Sequence, residues 1–371
     1  MDISAIDMTG ATGWLTIDLE ALADNYRLLA SRVVPARQTA VVKADAYGLG
    51  AVPVSNALYQ AGCRDFFVAQ YLEAVTLRPA LPADARIFVL NGLQPGAEAR
   101  AAELGLIPVL NSLEQVRNWS ALALPAVLQL DTGMSRLGVP TEELQAAREE
   151  LAQAGTPLLF LMSHLASADD PANSQNVEQL NRMRNLAAEF PGCDICFANS
   201  GGIFLGDDYH HALTRSGIAL YGGAPTEGRP NPMRPVVALE VAVIHLRNLE
   251  AGTAVGYSGT HVTAGPTRVA TIAAGYADGL LRSLSNRGAV WFQSRRLPII
   301  GRVSMDSITV DASALPEDTM TLGSRVEILG PHQTLEDVAR DAGTISYEIL
   351  TSLGHRYHRT YLQPNPRGNT S

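Results

Sequence analysis

A handful of short segments carry the residue types able to do chemistry, and each comes directly after an apolar run. Lys43-Ala44-Asp45-Ala46-Tyr47-Gly48-Leu49-Gly50 comes after Ala40-Val41-Val42. Asp131-Thr132-Gly133-Met134-Ser135-Arg136-Leu137-Gly138 comes after Ala126-Val127-Leu128-Gln129-Leu130. His164 lies just past Leu158–Met162, Asn199-Ser200-Gly201-Gly202 past Ile195–Ala198, and Arg215-Ser216-Gly217-Ile218 past Ala212-Leu213-Thr214. A lysine directly after a buried strand is partly desolvated, which lowers its pKa and makes the neutral amine available for a Schiff base. A lysine snorkelling at a rim would satisfy burial of its stem equally well.

The runs that precede these segments set where they stand. Together with Phe66-Phe67-Val68, Ile87–Leu90 and Ile107–Leu110 they give eight apolar stretches, the last of them weak. Continuous apolar runs bounded by turn signals suit strands buried on both faces, as in a parallel sheet. Between them lie helical stripes such as Leu19, Leu22, Tyr26, Leu29 and Ala30, or Leu180, Met183, Leu186 and Ala187. This alternation predicts a (β/α)8 TIM-type barrel over 14–235, with a doubly wound open sheet as the alternative. In a barrel, function gathers just past the C-terminal ends of the strands, and the loops after strands seven and eight commonly hold phosphate. Ser200, Gly201, Gly202, Gly217 and Ile218 can offer a hydroxyl and backbone N–H groups there. Plain turn chemistry explains the same residues, and Gly48-x-Gly50 reads first as a tight turn. A lysine opposite a phosphate cradle points to pyridoxal phosphate.

Near Pro235 the pattern changes to period-two alternation, with Val241, Val243 and His245 on one face. Runs at 268–272, 289–292, 308–310 and 326–329 predict a mainly antiparallel β-domain over 236–371, joined by the N-terminal segment 1–13. Thr334-Leu335-Glu336-Asp337 opens one helix with a capping box, and the tail Gln363–Ser371 is expected to fray. The 371 residues are 46% hydrophobic and 18% charged with a formal net charge of −9. That profile suits a soluble globular protein and argues against nucleic acid or anionic membrane as partners. No apolar run approaches a membrane span. Met1-Asp2-Ile3-Ser4 lacks the regions of a signal peptide. With Cys63, Cys193 and Cys196 the only cysteines, a reducing, cytoplasmic setting is the expectation.

The motifs taken together closely resemble those of alanine racemases. Ala40–Gly48 resembles the pyridoxal-phosphate signature of that family. Asp131–Gly138, Ser163–Asp169, Ala198–Ser200, Arg215–Gly222, Gly275-Tyr276-Ala277-Asp278-Gly279 and Gly301–Asp306 match further motifs in the right order. The resemblance implies a head-to-tail homodimer acting on alanine. It implies that Lys43 carries pyridoxal phosphate and handles the Cα proton on one face, while Tyr276 from the partner chain handles it on the other. Racemisation needs two such bases. By the same resemblance His164 and Arg215 form a network serving Tyr276, and Arg215 faces the pyridine nitrogen. Tyr47, Asn199, Ser200, Gly217, Ile218 and Tyr347 help hold the cofactor. Arg136 and Met305 contact the substrate carboxylate, and Asp169 and Arg302 line the entry channel. No metal is implied.

Two positions depart from the family. Gln129 stands where many members have a carbamylated lysine, so it is expected to orient Arg136 through a neutral hydrogen bond, or a bound anion supplies the missing charge. Ser304 stands where cysteine is common. Cys193-Asp194-Ile195-Cys196 has no second pair to complete a zinc site, and His355/His358 and His210-His211 lack further ligands. Arg295-Arg296 reads as a solvated turn. The competing functions are a broad-specificity amino-acid racemase, an amino-acid decarboxylase on the same scaffold, and a non-catalytic pyridoxal-phosphate-binding protein. The Tyr276 and Met305 motifs weigh against the decarboxylase, and the β-domain weighs against the non-catalytic protein.

Overall fold

The computed structural model describes residues 10–363. The segment Met1–Ser4 and, from residue 364 on, the tail expected to fray lie outside the described residues. The described residues form two compact units, 21–234 in one and 10–20 with 235–363 in the other.

The first strand, β1, is Gly13–Asp18. Eight parallel strands come next: β2 (Arg37–Val41), β3 (Asp65–Val68), β4 (Arg86–Val89), β5 (Leu106–Leu110), β6 (Ala126–Gln129), β7 (Leu158–Met162), β8 (Ile195–Cys196) and β9 (Leu213–Ser216). They close into a barrel in chain order, β9 returning to β2 with Arg215 opposite Thr39. The expected (β/α)8 barrel is therefore present, and the open sheet is not. Its interior is filled rather than hollow. Phe67, Phe88 and Phe160, all fully buried, meet there. Phe67 stacks on Phe88 at 4.6 Å between ring centroids, and Phe160 reaches Phe88 at 5.4 Å. The helix Leu19–Arg32 turns Leu19, Leu22, Tyr26 and Leu29 inward, as its spacing requires.

β1 falls inside the span 14–235 expected for the barrel, yet it pairs elsewhere. It lies antiparallel to β10 (Val237–Leu249), with Leu15 opposite Leu239, and parallel to the last strand of the chain, His358–Leu362. The physical reason is in its burial. Alternate residues of β1 are buried and half-buried, the mark of a strand with one covered face rather than one enclosed on both.

The second unit continues with β11 (Ala254–Val255), β12 (His261–Val262), β13 (Thr267–Ile272), β14 (Ala289–Phe292), β15 (Arg295–Pro298), β16 (Ile308–Asp311), β17 (Arg325–Leu329) and β18 (His358–Leu362). β10 is its spine, antiparallel to β1, β13 and β17. One expectation here needs correction. Val241 and Val243 share the buried face, but the pairing of β10 with β13 shifts register between Val243 and His245. The extra residue of such a bulge reverses the facing of the residues beyond it, so Ile244 and His245 are both exposed. The expected capping box is formed: Asp337 N–H donates to Thr334 Oγ1 (3.2 Å) and Thr334 N–H to Asp337 Oδ2 (3.1 Å).

Candidate active site

Lys43 stands just past β2 at the C-terminal end of the barrel, where the strand gives way to a rare turn. Ala44, Asp45, Ala46 and Tyr47 all adopt left-handed backbone, with φ between 53° and 56°. Each such residue costs about 1–2 kcal/mol, so the turn needs outside support. Glu73 supplies it. One oxygen of its carboxylate accepts from Ala44 N–H (2.6 Å), the other from Ala69 and Gln70 N–H (2.7 and 2.9 Å). Asp45 Oδ1 accepts from Ala51 N–H at 2.6 Å. At the end of the turn Tyr47 packs on Tyr221, 4.6 Å between centroids, and the Tyr221 hydroxyl donates to Val41 O at 2.8 Å.

Lys43 is also the only lysine in the 371 residues. The motif alone leaves a snorkelling rim lysine open; a count of residue types is the further signal that sets this one apart. Burial lowers the pKa of its amine, and the guanidinium groups of Arg136 and Arg215 lower it further, against an opposing pull from Glu73. His164 belongs to the same cluster. Burial and then Arg215, Arg136 and Lys43 push its imidazole down to about 3. It is therefore neutral at ordinary pH, a hydrogen-bonding group rather than a cation. The structure thus brings Lys43, Arg136, His164 and Arg215 to one mouth with an excess of positive charge, an environment suited to an anion.

Arg215 is buried and held by its backbone neighbours. Its Nη1 donates to Cys196 O (2.7 Å) and toward Cys196 Sγ (3.2 Å), and Nη2 donates to Ser163 O (2.6 Å). Arg136, by contrast, is exposed. The expected bond from Gln129 to Arg136 is not the one observed. Gln129 Nε2 donates to Leu137 O at 3.1 Å, bracing the loop one residue beyond the guanidinium.

The residues expected at a phosphate gather after β8 and β9. Ser200 Oγ accepts from Gly217 N–H (2.9 Å) and Ala219 N–H (3.3 Å). The Gly217 donor is thus turned onto Ser200, while the buried Ser200 hydroxyl has no acceptor for its own proton among the described residues. A Cβ at Gly217 would lie 2.2 Å from Tyr47 Oη, so glycine is what lets Tyr47 close on this loop. Asn199 ties loops together, donating to Leu165 O (3.2 Å) and accepting from Gly202 N–H (2.9 Å). Ile218 is buried beside them. A cationic mouth, one depressed amine and a buried hydroxyl with a spare proton fit a phosphorylated aldehyde. A separate cavity of about 300 Å³, lined by residues including Leu106, Ile107, Trp119 and Leu159, opens at the N-terminal ends of the strands, away from this cluster.

Tyr276, Met305, Arg302 and Tyr347 lie in the second unit. Gly275 N–H donates to Asp278 Oδ2 (2.9 Å), and Arg356 clamps the Asp278 carboxylate with two bonds of 2.6 and 2.7 Å. Tyr276 and Ala277 N–H donate to Ser304 O and Met305 O, both at 3.0 Å. Two loops are thus locked back to back, presenting Tyr276 (44% exposed) and Met305 (52%) outward. Tyr347 stands half-exposed on the helix Ser346–Ser352, and Arg302 donates to Ser258 Oγ at 3.0 Å. Asp169, in the barrel unit, is exposed, its carbonyl accepting from Glu227 N–H at 2.9 Å.

Residues 17–225 match the alanine racemase N-terminal domain and residues 236–361 the C-terminal domain. The chain is 64% identical to a catabolic alanine racemase of Rhizobium johnstonii, covering 95% of each chain, and 54% identical to the alanine racemase of Brucella canis, covering 97% of this chain and 96% of that one. The crystal structure of alanine racemase from Bartonella henselae with covalently bound pyridoxal phosphate superposes with a TM-score of 0.92 at 47% identity, covering 95% of this chain and 100% of that one. On its sequence, its barrel and both matched domains, the chain belongs to the alanine racemase family.

Proposed function

We propose that this protein interconverts L- and D-alanine as a cytoplasmic homodimer, with pyridoxal phosphate on Lys43 and with Lys43 and Tyr276 of the partner subunit as the two bases. The observation that carries the reading is that the chain's only lysine stands at the cationic mouth with its amine pKa lowered. When bound there, pyridoxal phosphate supplies the electron sink that makes the Cα–H bond of alanine breakable. Ser200, Tyr47, Gly217, Ile218 and Asn199 line the place for its phosphate end.

The chain's own groups do the rest. Arg136, exposed at the mouth, offers a guanidinium to the substrate carboxylate. Lys43, its amine pKa lowered by burial and by Arg136 and Arg215, can take a proton at Nζ. A guanidinium is a donor only, and Arg215 is too firmly held by Cys196 O and Ser163 O to swing away. It therefore presents a fixed positive charge and does not shuttle protons. His164, neutral, can accept or donate one hydrogen bond without adding charge. The exposed phenol of Tyr276 approaches from the opposite face, and returning a proton there inverts the stereocentre.

Two measurements test this. A chiral assay of the cofactor-loaded protein on L-alanine should yield D-alanine, and Lys43→Ala should yield none. Mixing Lys43→Ala with Tyr276→Phe and allowing subunits to exchange should restore roughly a quarter of the activity. Half the dimers would then be mixed, each with one intact site. Failure to restore any activity would place both bases in the same chain.

A further inference from the structure

The helix Gln175–Ala187 turns an unusual face to the barrel mouth. Gln175, Gln179 and Arg182 stand at i, i+4 and i+7, on one side, and all three bond the loop that carries Arg136. Gln175 Nε2 donates to Gly133 O (3.1 Å), Gln179 Nε2 to Thr132 Oγ1 (3.1 Å) and Arg182 Nη1 to Thr132 O (3.3 Å). Gln179 is the central one and is 1% exposed. It also reaches the other loop of the mouth: its Nε2 donates to His164 O (2.9 Å) and its Oε1 accepts from Ala166 N–H (2.9 Å). One buried amide therefore ties the Arg136 loop to the His164 loop.

The bonds beyond it have a fixed direction. Ser163 Oγ donates its single proton to Leu130 O (2.7 Å). The 2.8 Å contact between Thr132 Oγ1 and Ser163 Oγ must then be donated by Thr132, which in turn accepts from Gln179. Thr132 and Ser163 are buried as deeply as Gln179. The Ser163 carbonyl receives Arg215 Nη2 at 2.6 Å, so the chain of bonds ends on the third member of the charged cluster. The Arg136 loop is stiff enough to transmit a shift at Thr132. Asp131 Oδ1 accepts from Gly133, Met134 and Ser135 N–H at 2.9, 3.2 and 3.1 Å, and a Cβ at Gly138 would lie 2.7 Å from Asp131 N.

We propose that Gln179, acting through Thr132 and Ser163, is a positioning residue that sets Arg136 at the right distance from His164 and Arg215 to receive the substrate carboxylate. A polar, uncharged brace suits this place. It satisfies two loops at once and adds no charge to a site whose electrostatics depend on Arg136 and Arg215. The inference rests on the reading of Arg136 as the carboxylate-binding cation.

The test uses the cofactor-loaded dimer and two variants, Gln179→Leu and the near-isosteric Thr132→Val. Propionate, which has the carboxylate of alanine but no amine, probes the Arg136 subsite by binding alone. Each variant should raise both the KM for alanine and the Kd for propionate about tenfold, with kcat moving less. The visible absorbance of the bound cofactor should stay as in the parent. The double variant should be no worse than the worse single one, because the two residues act along one path. If Gln179→Leu does not fold, Thr132→Val alone must show the same split. A fall in melting temperature with KM and propionate affinity unmoved would overturn the proposal, as would additive losses in the double variant. Arg136→Gln separates the two ideas. Loss of propionate binding there with none in the brace variants refutes only the positioning role, whereas retained binding refutes the carboxylate assignment and the proposal with it.

Discussion

Replacing Gly217 by alanine would test how tightly the loop proposed to hold the cofactor is coupled to the lysine. The new Cβ would sit 2.2 Å from Tyr47 Oη and 3.0 Å from its Cζ, so the phenol would have to retreat by roughly 1 Å to reach ordinary contact. A free side chain would simply swing aside. Tyr47 is 5% exposed, its ring lies on that of Tyr221, and Tyr221 is fully buried and anchored on Val41 O. The displacement must go into the backbone, and the backbone at Tyr47 is the last residue of the left-handed turn that starts after Lys43. Overpacking of this kind costs about 1–3 kcal/mol, and a shift of ~1 Å at a reacting group costs up to ~10²-fold in rate. The measurements are a spectrophotometric titration with pyridoxal phosphate, a thermal melt and the chiral assay. We expect weaker cofactor binding, a lower melting temperature and a kcat reduced at least tenfold. Adding Tyr47→Phe removes the 2.2 Å contact and leaves the 3.0 Å one, so part of the stability loss should return. Parent-like cofactor affinity with kcat within a factor of two would refute the coupling.

Other expectations rest on the same geometry. Since Lys43 is the only lysine, borohydride reduction of the loaded protein should fix the cofactor on a single internal peptide, and any second labelled internal peptide would contradict the assignment. His164 has its pKa lowered from 6.5 to about 3. Across that window the unfolded chain binds the proton more readily, so this contribution to stability is complete above pH 6.5 and is lost as pH falls toward 3. Urea melts should then show the parent losing about 2 kcal/mol more than His164→Gln between pH 7.5 and 4.5, and parallel losses would disprove the burial argument. At the foot of the barrel, Arg86 binds the buried Asp65 carboxylate through bonds of 2.6 and 2.7 Å. Asp65→Ala should cost about 2–3 kcal/mol of stability without changing the KM for alanine, measurable by the same melts.

The barrel is legible in the sequence because most of its strands are enclosed on both sides and so carry short, nearly continuous apolar runs. Asp65–Val68 and Ala126–Gln129 are buried at every position. The charged cluster is legible for a related reason: a parallel barrel places every strand end at one mouth, so local sequence suffices to gather residues far apart in the chain. The features that escape depend on partners that sequence does not name. β1 carries its own alternation, but only its neighbours β10 and β18 place it in the second sheet. The bulge after Val243 is a mismatch between two strands and is invisible in either alone. Gln179 escapes because Leu180 and Met183 beside it draw the apolar stripe. Its signal lies in Gln175, Gln179 and Arg182, polar residues spaced as a core-facing row. Gln129 stands out in the sequence, but its acceptor, the Leu137 carbonyl, depends on how the loop folds back.

The placement of β1 also sets a timetable for the newborn chain. Its two mates are β10 and β18, and about 220 residues separate Asp18 from the first of them. At ~5–20 residues per second, translation leaves β1 without a partner for roughly 10–40 s, and longer before β18 emerges. Every strand of the barrel is made within that interval. The barrel can therefore close on the ribosome while β1 waits, an alternating, half-apolar ribbon with both edges open. Such a ribbon is vulnerable to pairing with a neighbouring nascent chain. Slow elongation through 19–236 should favour that misassembly, and fast elongation should suppress it.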